Sequence, residues 1–208
     1  GGLYSSGPAK IRNAISSRNT VSHKSYYGAA VFHASGALVI TNSTFSNNKI
    51  NYINASVTLS YGGALYRNSG TAEINNSIFW GNIRGNNIPD QLNANVKLSN
   101  SLVQGDYKTG ITVVTADPQF KDAAADSLTL ATCSPAINMG DNSKLAGLTA
   151  DFNGLPRVFN EVADLGAFEN QENRLSITTA TLAGSNRGQV YEQQLSAAGN
   201  VEKRTAAR

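Results

Sequence analysis

Gly62-Gly63-Ala64-Leu65-Tyr66-Arg67-Asn68-Ser69-Gly70-Thr71-Ala72-Glu73-Ile74-Asn75-Asn76-Ser77-Ile78-Phe79-Trp80-Gly81-Asn82 is one copy of an imperfect repeat. Ile74 aligns with Ile11, Ile40 and Leu98. Two residues further on stand Asn13, Asn42, Asn76 and Asn100. Eight residues on stand Asn19, Asn48, Asn82 and Asp106, and five residues on Phe45, Phe79 and Val103. Glycine-led segments precede the first three copies, as Gly1-Gly2-Leu3-Tyr4, Gly28-Ala29-Ala30-Val31-Phe32 and Gly62-Gly63-Ala64-Leu65-Tyr66. The first asparagine series is spaced by 29, 34 and 24 residues, so the copies carry loops of unequal length.

Short alternating apolar segments with no helical period, repeated at this length, predict an all-β solenoid. No single copy can bury its own apolar face. Stacking at the spacing of β-strands, about 4.8 Å, buries columns of Ile and Leu. Asparagine suits a fixed corner because it tolerates the left-handed conformation of a tight bend. Stacked side-chain amides also bond from copy to copy. The competing reading is a β-sandwich with asparagine-rich turns. The structural ladder residues are therefore Asn13, Asn42, Asn76 and Asn100, with Asn19, Asn48 and Asn82.

The copies resemble the right-handed parallel β-helix repeats of the bacterial polymorphic outer membrane protein type. Gly62-Gly63-Ala64-Leu65, Phe45-Ser46-Asn47-Asn48 and Phe79-Trp80-Gly81-Asn82 carry the resemblance. Ser16–Asn19 and Val103–Asp106 depart from it by lacking the phenylalanine. The resemblance implies a right-handed parallel β-helix on a secreted or surface protein.

Charged residues make up only 15% of the 208, and Asn, Ser, Thr, Gly and Ala abound, as in extracellular β-proteins rich in turns. The single cysteine, Cys133, excludes an internal disulfide framework and is expected to be a small buried apolar residue. No apolar run reaches the roughly 18 residues of a membrane span. No signal peptide is visible, but the sequence opens inside a repeat, so a longer precursor is expected. The net charge of +3 divides into +6 over residues 1–116 and −3 over the remainder. The basic residues form no run, so nucleic acid is not an expected partner.

Taken in order, residues 1–116 form the predicted coils. Candidate core residues are Ile11 and Ile15, then Val31, Leu38, Ile40 and Phe45, and in the fourth copy Val96, Leu98, Leu102, Ile111 and Val113. Residues 50–59 read as a further strand or a side loop. Tyr4, Phe32 and Tyr66 occupy matching positions and form an aromatic ladder if they stack. Inside the coil it would stabilise; outside it would be a platform for sugars. The pleat leaves open whether Leu65 or Tyr66 faces inward.

Residues 117–169 change character. Asp117-Pro118-Gln119-Phe120, Leu130-Ala131-Thr132-Cys133-Ser134-Pro135-Ala136-Ile137-Asn138-Met139-Gly140, Asp151-Phe152-Asn153-Gly154-Leu155-Pro156-Arg157 and Asp164-Leu165-Gly166-Ala167-Phe168-Glu169 follow one another. This ordered series is similar to the C-terminal closing segment of the choice-of-anchor Q family of bacterial surface proteins. Asn138 stands where that pattern has aspartate, and Phe168 where it has tyrosine. The resemblance implies a cap that seals the last coil, formed by Asp117, Pro118, Phe120, Pro135, Arg157, Asp164 and Glu169. Arg157 has Asp151, Asp164 and Glu169 as candidate partners for a structural ion pair, a reading preferred to a catalytic one. Asp141, Asp151 and Asp164 lack the dense oxygen spacing of a calcium loop, so no metal or cofactor is assigned. Residues 170–208 are similar to the first two strands of immunoglobulin-like or cadherin-like surface repeats, a partial unit or β-strand tail.

Chemistry is sparse. A glycosidase needs paired carboxylates, and the coils offer only Glu73, Asp90 and Asp106 at unrelated repeat positions. There is no nucleophile-elbow motif and no phosphate loop of Walker type. A polysaccharide lyase needs only a base and cations to stabilise developing charge. His33, Arg67 and Tyr66, with Lys24, are its only candidates. The expected function is a bacterial extracellular structural or adhesive module that self-associates into filaments through exposed β-helix ends or the C-terminal strands. The alternative is a β-helix that binds or cleaves an anionic polysaccharide. Partners are then the protein itself or surface glycans.

Overall fold

The computed structural model describes residues 2–22, 27–51, 62–93, 96–105, 107 and 110–172, together with 176, 177, 181, 184, 197 and 198. The chain divides into two compact units, residues 1–170 and 171–208. In the second unit the described strands are β18 and β19, defined below. Lys24 and Asp106, and most of residues 50–59, lie outside the described residues.

The first copy supplies β1 (Leu3–Ser5), β2 (Ala9–Arg12), β3 (Ile15–Ser17) and β4 (Thr20–Val21). The second supplies β5 (Val31–His33), β6 (Ala37–Thr41), β7 (Thr44–Ser46) and β8 (Lys49–Ile50). The third supplies β9 (Leu65–Arg67), β10 (Thr71–Asn75), β11 (Ile78–Trp80) and β12 (Ile83–Arg84), followed by β13 (Ile88–Pro89). The fourth runs through β14 (Lys97–Val103), and β15 (Gly110–Val114) lies beside it. A hairpin of β16 (Phe120–Asp122) and β17 (Ser127–Leu130) comes next, and β18 (Ser176–Ile177) pairs antiparallel with β19 (Ala197–Ala198) in the second unit. The chain is all-β, with one 3-10 turn at Asn142–Lys144 among the described residues. No described helix is long and apolar enough to cross a membrane.

Equivalent strands of successive copies pair in parallel. One sheet runs β1-β5-β9, and another runs β4-β8-β12 with β13 added antiparallel. The largest joins β2-β6-β10 to β3-β7-β11 through the long β14, whose two halves pair with β10 and β11. The pairing register matches the repeat alignment: Ile11 opposite Ile40, Ile40 opposite Ile74, and Ile74 opposite Leu98. An antiparallel sandwich is incompatible with these pairs.

Asn13, Asn42, Asn76 and Asn100 have φ of 50°, 47°, 49° and 43°. Each bends the chain between the two strand columns of the large sheet, the conformation that favours asparagine over branched or bulky residues. Gly62 needs its freedom too, since its φ is +60°, and a Cβ on Gly63 would collide with the Asp90 carbonyl. Leu38, Ile40, Ala72, Ile74 and Leu98 form the inner column, closed by Phe45, Phe79, Val103, Val31 and Leu65. Phe45 and Phe79 stack with centroids 4.6 Å apart. Each fully buried Leu or Ile of such a column contributes about 1.5–3 kcal/mol.

The expected fourth-copy core needs correction. Ile111 is 66% exposed. Leu102 is buried, but in a second apolar cluster with Ile78, Leu130, Ala136, Ile137 and Leu165. That cluster shows where residues 117–170 sit. They lie along the side of the stack. Arg12 donates to the Ala146 carbonyl and Ser17 to Asp126, at the first copy. The Ala167 amide donates to Thr44 Oγ1, at the second. The Asp141 amide donates to Asn76 Oδ1 at the third, and Asn100 to the Met139 carbonyl at the fourth. The physical reason is a second, outward column of Ile15, Thr44, Ile78, Leu102 and Val114, apolar except at Thr44, that needs cover. Gly166 permits the approach, since a Cβ there would meet Thr44 Oγ1 at 2.7 Å and Ile78 Cδ1 at 2.8 Å.

Candidate functional site: an outward aromatic stack over inward polar ladders

Strands β5 and β9 alternate in direction. Val31 and His33 are buried while Phe32 is half-buried on the outer face; Leu65 is buried while Tyr66 lies outside. The aromatic ladder is therefore external. Tyr4 and Phe32 stack with centroids 5.6 Å apart and planes 6° apart, and Phe32 and Tyr66 at 5.6 Å and 21°. Tyr27 adds a further ring on Tyr66 at 4.4 Å and 23°. Because the rings are nearly parallel, they turn their faces to one another and their edges to solvent. A sugar stacks on a face, so this geometry does not give the continuous platform that an external ladder suggested. Tyr4, 67% exposed, is the ring most open to solvent.

The lyase candidates do not converge. His33 is fully buried, with Nδ1 3.3 Å from Ser5 Oγ and Nε2 3.2 Å from the Gly36 carbonyl. Both ring nitrogens are engaged, so the side chain has no access to a polymer on the outer face. Arg67 is opposite His33 in register, and its guanidinium donates to the Gly70 carbonyl at 2.6 Å. Tyr66 points to the other side of the strand. Base, cation and phenol are thus divided between two faces.

Polar order lies inside. Asn19 Nδ2 donates to Asn48 Oδ1 at 2.9 Å, and Asn48 Nδ2 to Asn82 Oδ1 at 2.7 Å. Each acceptor oxygen also takes the backbone N–H of the preceding copy's asparagine, at 3.0 Å in both cases. Asn82 Nδ2 then donates to Gln91 Oε1 at 2.6 Å. Gln91 comes from the excursion after β12, and sequence reasoning missed it because it has no repeat equivalent. A serine ladder was also missed. Ser43, Ser77 and Ser101 each accept the amide of the preceding copy, from Ala14, Ser43 and Ser77. Its signal was the Asn-Ser pair in three copies. The corner series behaves differently: Asn76 Nδ2 is 3.4 Å from Asn42 Oδ1 but bonds the Asp141 carbonyl at 3.0 Å. Tyr107 supports this end of the core. Its hydroxyl accepts the Leu92 amide and donates to the Leu92 carbonyl, and burial pushes its pKa up.

The residues expected to cap split by role. Asp117 is exposed and accepts the Gln119 amide; the Pro118 carbonyl accepts Ser134 Oγ at 2.6 Å. Phe120 packs against both lateral clusters, and Pro135 is half-buried. Arg157, Asp164 and Glu169 form a buried node with Asp151. Arg157 meets Glu169 Oε2 at 2.9 Å, with both side chains wholly buried, and also donates to the Asp164, Gly166 and Phe168 carbonyls. Cys133, expected inside, is exposed. Among the described residues no group of three or more His, Cys, Asp and Glu is arranged to hold a metal ion.

No family model, curated protein or solved structure matches the chain.

Proposed function

We propose that this chain is a right-handed parallel β-helix of the bacterial surface-protein kind, secreted or displayed outside the cell, and that it works as a structural or adhesive module. The observation that carries this reading is the in-register parallel stacking of equivalent strands from successive copies, from Ile11 through Ile40 and Ile74 to Leu98. Such an arrangement gives a long regular surface. The scarcity of charge and the neutral amide ladders agree with it, as does the placing of His33 and Tyr66 on opposite faces. Self-association into filaments, through the ends of the stack or the C-terminal strands, belongs to this reading.

The test is negative-stain imaging of the purified chain, with light scattering across a hundredfold range of concentration. End-to-end oligomers or filaments support the structural module. A monomer at every concentration removes self-association. A panel of neutral and uronate-containing polysaccharides then decides adhesion. Release of unsaturated uronate products, read by ultraviolet absorbance, would overturn the non-enzymatic reading in favour of a lyase.

A further inference from the structure

Asparagines of the stack are buried and engaged: Asn48, Asn76 and Asn82 are fully enclosed, and each side-chain amide bonds a neighbour. Asn153 differs on three counts. It is exposed, in the turn that runs from Asp151 to Leu155. Its side-chain amide has no hydrogen-bond partner among the described residues; only its backbone amide donates, to Asp151 Oδ1 at 2.8 Å. It is also the one asparagine of the chain followed by glycine. Other exposed asparagines, such as Asn87 and Asn160, precede Ile88 and Glu161, whose side chains hinder the following backbone nitrogen. Gly154 has φ +82°, and nothing lies within 4 Å of the place a Cβ would take. Neither a side chain nor a neighbouring element crowds its nitrogen from that side.

We propose that Asn153 is a site of slow covalent self-modification, converting to aspartyl and isoaspartyl residues through a cyclic imide, and that the Asp151 turn sets its rate. The Gly154 nitrogen gives its proton to a base in solvent and attacks Asn153 Cγ. An N–Cγ bond forms, the Cγ–Nδ2 bond breaks, and Nδ2 leaves as ammonia with a proton from water. Water then opens the imide and returns a proton to the nitrogen. Breaking N–Cγ leaves aspartate on an unchanged backbone; breaking the bond to the main-chain carbonyl leaves isoaspartate, with the backbone running through Cβ and Cγ. Water is consumed and ammonia released, and nothing is oxidised or reduced. In the closed turn the nucleophile is held: the Gly154 amide donates to the Asp151 carbonyl at 3.1 Å, and the Asp151 amide to the Leu155 carbonyl at 2.7 Å. Asp151 is itself buried, with Oδ1 taking the Leu155 amide and Oδ2 the Glu169 amide. Ring closure therefore waits on local opening of the turn. The isoaspartyl product adds a backbone carbon between Asp151 and Leu155, so these bonds no longer meet. Phe152, which lies edge-on to Phe168 at 5.6 Å, then loses its seat.

The test is peptide mapping by mass spectrometry of the full chain held at mildly alkaline pH, both folded and in concentrated urea. In the folded chain, conversion at Asn153 is expected to exceed that at every other described asparagine and to give both products. It should run about tenfold slower than in urea, the protection that one turn hydrogen bond gives. Asn153→Gln, whose longer side chain cannot close the same ring, should abolish the mass gain in this peptide. Hydrogen exchange reads the gate without any variant: protection of the Gly154 amide should match the ratio of the two conversion rates. No conversion at Asn153 in the folded chain, or faster conversion at another described asparagine, would overturn the site. Equal rates in the folded chain and in urea, or a mass gain that survives Asn153→Gln, would overturn it too.

Discussion

In the parallel stack each stabilising contact recurs. Phe45 lies on Phe79, Asn19 bonds Asn48 and Asn48 bonds Asn82, and the amides of Ala14, Ser43 and Ser77 each find a serine hydroxyl. In residues 117–170 nothing recurs. A single guanidinium and three carboxylates, each with its own partners, gather turns that have no ladder of their own. The first region spreads its stability over equivalent groups; the second concentrates it. Repetition should therefore tolerate the loss of one member, and the node should not.

The largest effect should follow Arg157→Ala. It leaves the buried Glu169 carboxylate without its guanidinium partner, a loss of about 3–5 kcal/mol. For a unit of this size that is a fall in Tm of roughly 10 °C. Calorimetry or a thermal melt measures it. If the fall is no greater than that of a single ladder substitution, stability is not concentrated at the node and the comparison breaks.

Asn82→Leu should rank second. It takes the acceptor from the Asn48 amide and one of two from Asn48 Nδ2, and it removes the side-chain donor from the Phe45 carbonyl and from Gln91 Oε1, which keeps the Asn82 backbone amide. Buried polar groups left unpaired cost about 1–3 kcal/mol each, reduced here by rearrangement of the neighbouring amides. A net loss of about 2–3 kcal/mol in a denaturant titration is expected. Asn19→Leu, at the half-buried first copy, should cost less. Equal losses would mean that the ladder is not cooperative along its length.

The same contrast explains what could be read from the sequence. Repetition made the stack legible: Ile11, Ile40, Ile74 and Leu98 align by eye, and the strands pair in that register. The lateral position of residues 117–170 was not legible. In β7 and β11 adjacent residues are buried on opposite faces, as with Ile78 and Phe79, so inward and outward apolar positions merge into one run. Alternation marks a face only where the other face is wet. The orientation of Tyr66 was undecided for a related reason, since Leu65 and Tyr66 are both acceptable inside. Arg157 and its three acids were visible as candidate partners. Their shared burial was not, because it depends on turns between residues 138 and 170 that follow no period. Gln91 completes a ladder from outside the repeat, where alignment has nothing to compare.

A smaller effect separates two roles of the corner asparagines. Asn42 has φ 47°, and its amide contact with Asn76 is long, at 3.4 Å. If the backbone conformation is what selects asparagine, Asn42→Gly should be within about 0.5 kcal/mol of wild type, with glycine's extra chain entropy setting the remainder. Asn42→Ala should lose about 1–2 kcal/mol from the left-handed strain. Equal losses for Gly and Ala would assign the position to its amide instead. The pair of melts thus asks whether the stack's corners are held by conformation or by the ladder.

The smallest effect should be a gain. β15 pairs with β14 with Leu98 opposite Gly110 and Leu102 opposite Val114, which puts Thr112 in the register of Asn100. Thr112 has φ 53°, so a β-branched residue occupies the left-handed corner that asparagine fills in the four copies before it. Branching at Cβ makes that conformation costly, and here nothing repeats to offset it. Thr112 is exposed, so little packing is lost on substitution. Thr112→Asn should therefore stabilise the unit by about 0.5–1 kcal/mol, a rise in Tm of roughly 1–4 °C. Thr112→Gly should gain less, because it adds freedom to the unfolded chain. A gain from asparagine alone would mean that the repeat's corner rule extends to β15, the strand where regularity gives way to the turns of residues 117–170. No gain from either would place the limit of the repeat at Asn100, with β15 already belonging to the irregular region.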